Sequence, residues 1–285
     1  MDEEGRLMDQ KAIITPPKIP FKDIPTRKHR YIIDSRDRNK KLYPTQSAYQ
    51  IHMDESLTDV VSAELVLTDF KFNNYNITSH NNILHTSIGD FELRQGVQTG
   101  VSLSNELTDT TPFIVTFDPI TEKLTITSLE TVTLKFKSDR QRQYDYDHRI
   151  DVYKEKSVGK VLGFGIEDYE LDANVPLEAP YPVDLESANY IIMYMQQAKN
   201  FKSKNNNAHD CFAIINKLEN SSNGLVMYEN NVKKFFNPPI ADLKKLVFKF
   251  CDYEGNLYDF QNKDHRFEII FTTLKQTRCY NEIFN

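Results

Sequence analysis

The stretch Thr131-Val-Thr-Leu-Lys-Phe-Lys137 decides the fold class. Val132, Leu134 and Phe136 alternate with Thr133 and Lys135, a period of two that turns one face of an extended strand inward and the other to water. The same alternation recurs in Leu246-Val-Phe-Lys-Phe250, with Gly255 and Asn256 supplying turn chemistry just beyond. Upstream of the first stretch, short apolar runs bounded by turn residues place strands at 31–33, 47–53, 60–72, 91–94, 113–117 and 123–128. Downstream, strands are expected at 189–195, 211–218, 225–228, 243–251 and 266–274. Asp118-Pro-Ile-Thr-Glu122 spans the distance of a hairpin between two of these runs.

Helix is scarce in this pattern. Ser157-Val-Gly-Lys-Val-Leu-Gly-Phe-Gly165 reads as one or two helical turns, capped by Ser157 and ended by Gly163 or Gly165. Residues 138–156 are charged, carry tyrosines without an apolar period, and read as a long exposed loop. The sum is an all-β, jelly-roll-like antiparallel β-sandwich with long loops and one or two short helices. Two smaller β-domains joined through 138–186 are the competing layout, and no repeat of fixed period favours them. The expected organisation is an extended N-terminal arm, residues 1–30, followed by a single sandwich, residues 31–285. Four prolines, Pro16, Pro17, Pro20 and Pro25, deny the arm both helix and central strand. Its Ile13, Ile14, Ile19, Phe21 and Ile24 give it apolar side chains able to lie along a neighbour.

Bulk properties narrow the function. A chain of 285 residues suffices for one large sandwich, and its 18 Phe and 15 Tyr supply core volume where the hydrophobic fraction is only 39%. Net charge −6 and a pI near 5.7 remove any global attraction to DNA or an anionic membrane. No apolar run approaches the ~18 residues that span a bilayer. Cys211, Cys251 and Cys279 lack C-x-x-C spacing, which argues against a zinc site and a disulfide framework and fits a reducing compartment.

Signatures of chemistry are missing. Gly163-Phe-Gly165 is followed by Asp168 where a dinucleotide fingerprint needs its third glycine. Walker, His-Glu-x-x-His and Gly-x-Ser-x-Gly motifs do not occur. His80 and His85 sit five apart without a third ligand of suitable spacing. Asp264 and His265 are neighbours in an extended run and so point to opposite faces. Cys211 and Cys251 lie in apolar runs, where a thiol is inert. No catalytic residue, cofactor or metal is expected, and the chain reads as a non-enzyme. One basic segment, 27–41, carries Arg27, Lys28, Arg30, Arg36, Arg38, Lys40 and Lys41 and could meet phosphates. Asp34 and Asp37 dilute it, and Asp34-Ser-Arg-Asp-Arg38 reads more readily as ion pairs and turn caps that fix a loop.

Several of these stretches, in this order, resemble the minor capsid protein family of nucleocytoplasmic large DNA viruses. They are Tyr31-Ile-Ile-Asp-Ser-Arg-Asp-Arg38 with Tyr43-Pro44, Tyr49 and Val60-Val-Ser-Ala-Glu-Leu-Val-Leu67, then Val158-Gly-Lys-Val-Leu-Gly-Phe164 and Asn189-Tyr-Ile-Ile192. Pro238-Pro-Ile240, Leu243, Asp252-Tyr-Glu-Gly-Asn-Leu-Tyr-Asp-Phe260 and Asp264-His-Arg-Phe267 close the set, which runs from 31 to 274. Where the family tends to turn through isoleucine and proline after Leu67, this chain has Phe70-Lys-Phe-Asn-Asn-Tyr75. The resemblance implies a jelly-roll subunit without catalysis that links or supports major capsid capsomers in a virion assembled in the host cytoplasm. Its partners would be the major capsid protein and other minor capsid proteins. Self-association is compatible, nucleic acid is disfavoured and contact with an inner membrane has no support. Expected contact residues are Phe21 of the arm, Arg36 and Arg38 as ion-pair formers, and Tyr144 and Tyr146, because Tyr and Arg anchor interfaces. Alternatives are a vertex, or penton, capsid protein, a nucleic-acid-binding virion protein acting through 27–41, and a carbohydrate-active enzyme or lectin, since fold does not fix function.

Overall fold

The computed structural model of the chain describes residues 25–137, 142–143, 149–150, 153–187, 189–204, 206–217 and 232–275. Residues 1–24 of the expected arm, Tyr144 and Tyr146 of the 138–156 loop and the strand expected at 225–228 lie outside them, while Thr26–Arg30, expected in the arm, belong to the first strand. In chain order the strands are β1 (Thr26–Asp34), β2 (Ala48–Asp69), β3 (Ile83–His85), β4 (Asp90–Glu92), β5 (Ile114–Asp118), β6 (Lys123–Thr127), β7 (Val132–Leu134) and β8 (Arg142–Gln143). They continue with β9 (Arg149–Ile150), β10 (Tyr169–Leu171), β11 (Leu177–Glu178), β12 (Tyr190–Met195), β13 (Ala213–Asn216), β14 (Val232–Cys251) and β15 (Arg266–Leu274). Among the described residues there is one α-helix, α1 (Gly100–Thr110). The expected all-β class holds.

Six strands form the main sheet in the order β1-β15-β2-β14-β12-β13, and every adjacent pair is antiparallel. Two expected strands fuse into β2, which runs for 22 residues. The polar stretch Asp54-Glu-Ser-Leu-Thr-Asp59 looks like a connection in sequence, yet Leu57 and Thr58 stay in register with Leu243 and Asp242 of β14. For the same reason β14 starts at Val232, well before the expected 243. Pro238 and Pro239 cannot donate to a ladder, and there the register between β14 and β2 is lost, between Phe235 and Ile240. Bulges of this kind bend a sheet. The bent sheet and its end loops enclose a core rich in rings, among them Tyr49, Phe70, Phe248, Phe250, Phe260 and Phe267. Each buried phenylalanine stabilises by about 2–3 kcal/mol.

A second buried cluster is built entirely from residues between Ile77 and Ala179. It joins Leu103 and Leu107 of α1 to Leu124, Ile126, Leu134, Phe136, Val158, Leu162 and Phe164. Around it lie a three-stranded sheet, β11-β6-β5, and the pairs β10-β7 and β3-β4. The β5–β6 hairpin forms where expected, its turn held by Asp118 accepting from the Ile120 amide at 2.9 Å. The 157–165 segment, expected as one or two helical turns, forms no helix but a hydrogen-bonded turn, with Leu162 N donating to Val158 O at 3.1 Å and Phe164 N to Gly159 O at 2.9 Å. Ser157 Oγ accepts from the Gly159 amide at 3.1 Å, and Gly163, at φ +81°, ends it where a Cβ would meet Tyr181 O at 2.2 Å. The helix α1 was not legible as such. Its start is a capping box in which Thr99 and Ser102 satisfy each other's amides, and Leu103 and Leu107 supply its buried stripe.

Candidate functional site

Two of the motifs that carry the family resemblance, Tyr31–Arg38 and Asp264–Phe267, meet at one end of the main sheet. As β1 ends, the Asp34 carboxylate caps a 3-10 turn, Ser35–Asp37, by accepting from the Arg36 amide at 2.9 Å. Arg36 reaches back to the same carboxylate at 2.6 and 2.9 Å, and its hydrogen bonds hold Asp34 below the usual carboxylate range. The turn aims Ser35 and Arg38 inward, onto the start of β15. Ser35 N donates to His265 O at 2.9 Å, Ser35 Oγ to Asp264 Oδ1 at 2.8 Å, and His265 N to Ser35 Oγ at 3.0 Å. Arg38, only 5% exposed, donates to Ser35 O at 2.6 Å, Tyr43 O at 3.1 Å, Pro44 O at 3.3 Å and Asp264 Oδ1 at 3.2 Å. Burial would raise the Asp264 carboxyl, but hydrogen bonds from Ser35, Arg38 and Gln46 outweigh it and hold it low.

On the core side of this clasp His265 is 2% exposed. Its ring lies 4.8 Å from Phe70 in a stack, 4.7 Å from Phe250 edge-on and 4.4 Å from Phe260. Nε2 contacts the Tyr49 hydroxyl at 2.9 Å. Burial pushes the imidazole down to about 3, so it is neutral at any physiological pH. Asp264 is turned away to Ser35 and Arg38, which gives the pair no shared proton to move. The chemistry here is that of a fixed joint rather than a reactive centre.

Other titratable groups follow the same pattern. His85 is buried with Nδ1 2.9 Å from Asp90 Oδ1, off the axis of a regular hydrogen bond, and Nε2 2.9 Å from Glu155 O. His80 is exposed in a turn whose backbone is held by Thr78. Among the described residues no three His, Cys, Asp or Glu side chains gather as a metal site. Cys211 and Cys251 are free and buried, and burial pushes the Cys211 thiol up to about 11. No helix among the described residues is long and apolar enough to cross a membrane.

The basic segment is internally engaged at three of its arginines. Arg30 pairs with Glu268 at 2.8 Å, Arg36 with Asp34 and Arg38 with Asp264, while Arg27, Lys28, Lys40 and Lys41 are exposed. Arg36 and Arg38, expected as contact residues, each pair with a carboxylate of this chain. Arg36 does so at the surface and Arg38 inside. Phe21, Tyr144 and Tyr146 lie outside the described residues.

Residues 26–138 match the model of a family described as a family of unknown function (DUF5901). That span includes strands of both cores. No curated protein matches the chain. Among solved structures it is similar to a crystal structure of the SeMet-labelled mavirus penton protein, with 12% identity and a TM-score of 0.35, over 87% of this chain and 99% of that one.

Two surface features escaped the sequence reading. β1 stands at the rim of the main sheet with Ile32 65% exposed, and Ile120 and Leu129 project from the ends of β6. Hydrophobic runs mark strands, but neither a strand's place in a sheet nor which apolar residue faces water is written in a local pattern.

Proposed function

We propose that this chain is a structural capsid protein of a large DNA virus, a minor component that links or supports the major capsid capsomers without catalysis. The observation that carries the reading is where two of the resemblance motifs lie. Tyr31–Arg38 and Asp264–Phe267, far apart in sequence, close one buried ring, so the polar residues of both motifs are scaffold parts rather than a reactive cluster. A rigid frame that presents long connections to its surroundings is what a shell subunit requires. The jelly-roll winding and a single sandwich over 31–285 belong to the same proposal. Its contacts are the arm through Phe21, the exposed Arg36 and the loop of Tyr144 and Tyr146. Its partners are the major capsid protein and other minor capsid proteins, in a virion assembled in the host cytoplasm.

The engagement of Arg30, Arg36 and Arg38 by carboxylates supports protein contacts over nucleic acid. Mass spectrometry of purified particles tests the reading: the chain copurifies in fixed ratio to the major capsid protein, and its absence from particles ends the proposal. A particle reconstruction then separates a facet position from a vertex one.

A further inference from the structure

Among the described strands, β1 closes one side of the main sheet, with β15 on one flank and no strand on the other. It is nine residues long, long for a rim strand that natural proteins usually keep short. The opposite rim, β13, has four residues, and its Ile214 packs into a cluster with Ile192, Cys211 and Cys251. On an open antiparallel rim about half of the backbone N–H and C=O groups face outward, ready to pair with another extended segment.

The side chains of β1 select what that segment can be. Arg27 and Lys28 are exposed and have no ion-pair partner among the described residues, while Arg30 is held by Glu268 and Ile32 is open to solvent. Two copies of β1 paired antiparallel over the full strand would set Arg30 against Arg30 and Lys28 and Arg27 against Ile32 and Ile33, which gives neither free cation a carboxylate. A strand bearing carboxylates beside Arg27 and Lys28, with an apolar residue beside Ile32, meets the opposite situation.

We propose that β1 is a docking rim that takes an extended acidic strand from a partner protein by addition to the main sheet. The inference deepens the assembly reading above and rests on it for the partner's being another structural protein. It makes strand addition, rather than loop contact alone, a way this chain grips its neighbours.

The test uses the full chain and a fluorescent nine-residue peptide of threonines with Val at its third and Glu at its seventh and eighth positions, which antiparallel addition sets beside Ile32, Lys28 and Arg27, with its Lys-for-Glu counterpart and a single-stranded oligothymidylate as controls. The acidic peptide is expected to bind saturably and more weakly at high salt, and to slow hydrogen exchange of β1 amides. The lysine peptide and the oligonucleotide are expected not to bind. The double variant Arg27→Glu, Lys28→Glu is expected to weaken acidic-peptide binding by roughly tenfold or more. Its thermal midpoint is expected to stay unchanged, because neither side chain has an ion-pair partner to lose among the described residues. No acidic-peptide binding, equal binding of both peptides, protection at another segment, or binding of the oligonucleotide instead overturns the proposal. These outcomes are independent of whether the chain is found in particles, so the two proposals fail separately.

Discussion

Arg38 has four acceptors in reach, and burial would leave several of them without a donor: the carbonyls of Ser35, Tyr43 and Pro44, and the Asp264 carboxylate. Removing the guanidinium costs the interaction and also strands these groups. Arg38→Ala is therefore expected to lower stability by about 3 kcal/mol, the low end for a broken buried pair because Asp264 keeps some exposure. A drop in the urea midpoint reads it. Arg36→Ala, whose pair with Asp34 is at the surface, should leave that midpoint essentially where it was. His265 makes the pH prediction. Its folded value, about 3, lies below the ordinary 6.5, so between those limits the unfolded chain binds a proton that the folded chain refuses. Above 6.5 the ring is neutral in both states and contributes no pH dependence. As pH falls below 6.5, stability is lost by up to about 1.4 kcal/mol per unit. His265→Phe should flatten the fall between pH 6.5 and 5 in urea titrations, and an unchanged slope would refute the assignment.

At the scale of the element, α1 hangs on its first turn. Thr99 Oγ1 accepts from the Ser102 amide at 3.1 Å, and Ser102 Oγ from the Thr99 amide at 2.8 Å. Thr99→Ala removes half of this box and is expected to destabilise by about 1 kcal/mol, read by thermal unfolding, with Thr99→Ser close to wild type. The helix also shows what local pattern conceals. Its Val, Ser and Thr residues disfavour helix, and the two leucines that decide the matter gain their worth only from Phe113, Leu124 and their neighbours. By contrast, β15 was legible over its whole length, because Phe267, Ile269 and Phe271 alternate on the core face. The fusion of β2 was hidden for the opposite reason: Asp54 to Asp59 carry turn-forming side chains, while Leu57 and Thr58 among them pair beside a register break with Leu243 and Asp242 of β14, far along the chain. The clasp was half legible. Asp34-Ser-Arg-Asp-Arg38 announced caps and ion pairs, but the closing partner, Asp264, lies 226 residues beyond Arg38, a distance no local reading bridges.

For the molecule as a whole, the question is how two separate buried clusters are held as one chain passes from the first to the second and back. The outward passage runs through Asn73 and Asn76, and a few side chains bind it. Asn73 N donates to the Tyr258 hydroxyl of the first core at 2.7 Å. Asn76 Nδ2 donates to Gln98 O at 2.7 Å and to Leu185 O, at the return passage, at 3.2 Å, while its Oδ1 accepts from Gln98 N at 2.8 Å. Asn76 is 6% exposed, so water cannot replace these partners cheaply. Asn76→Ala is expected to cost about 2–3 kcal/mol, since it leaves two carbonyls and an amide short of partners at once. Tyr258→Phe should cost less, about 1–2 kcal/mol, because it orphans only the Asn73 amide. Hydrogen exchange localises the effect: in Asn76→Ala the amides of Gln98 and its neighbours open faster, while β15, anchored by the clasp, keeps its protection. Uniform acceleration across both clusters, or none near Gln98, would mean that the passage is secured elsewhere.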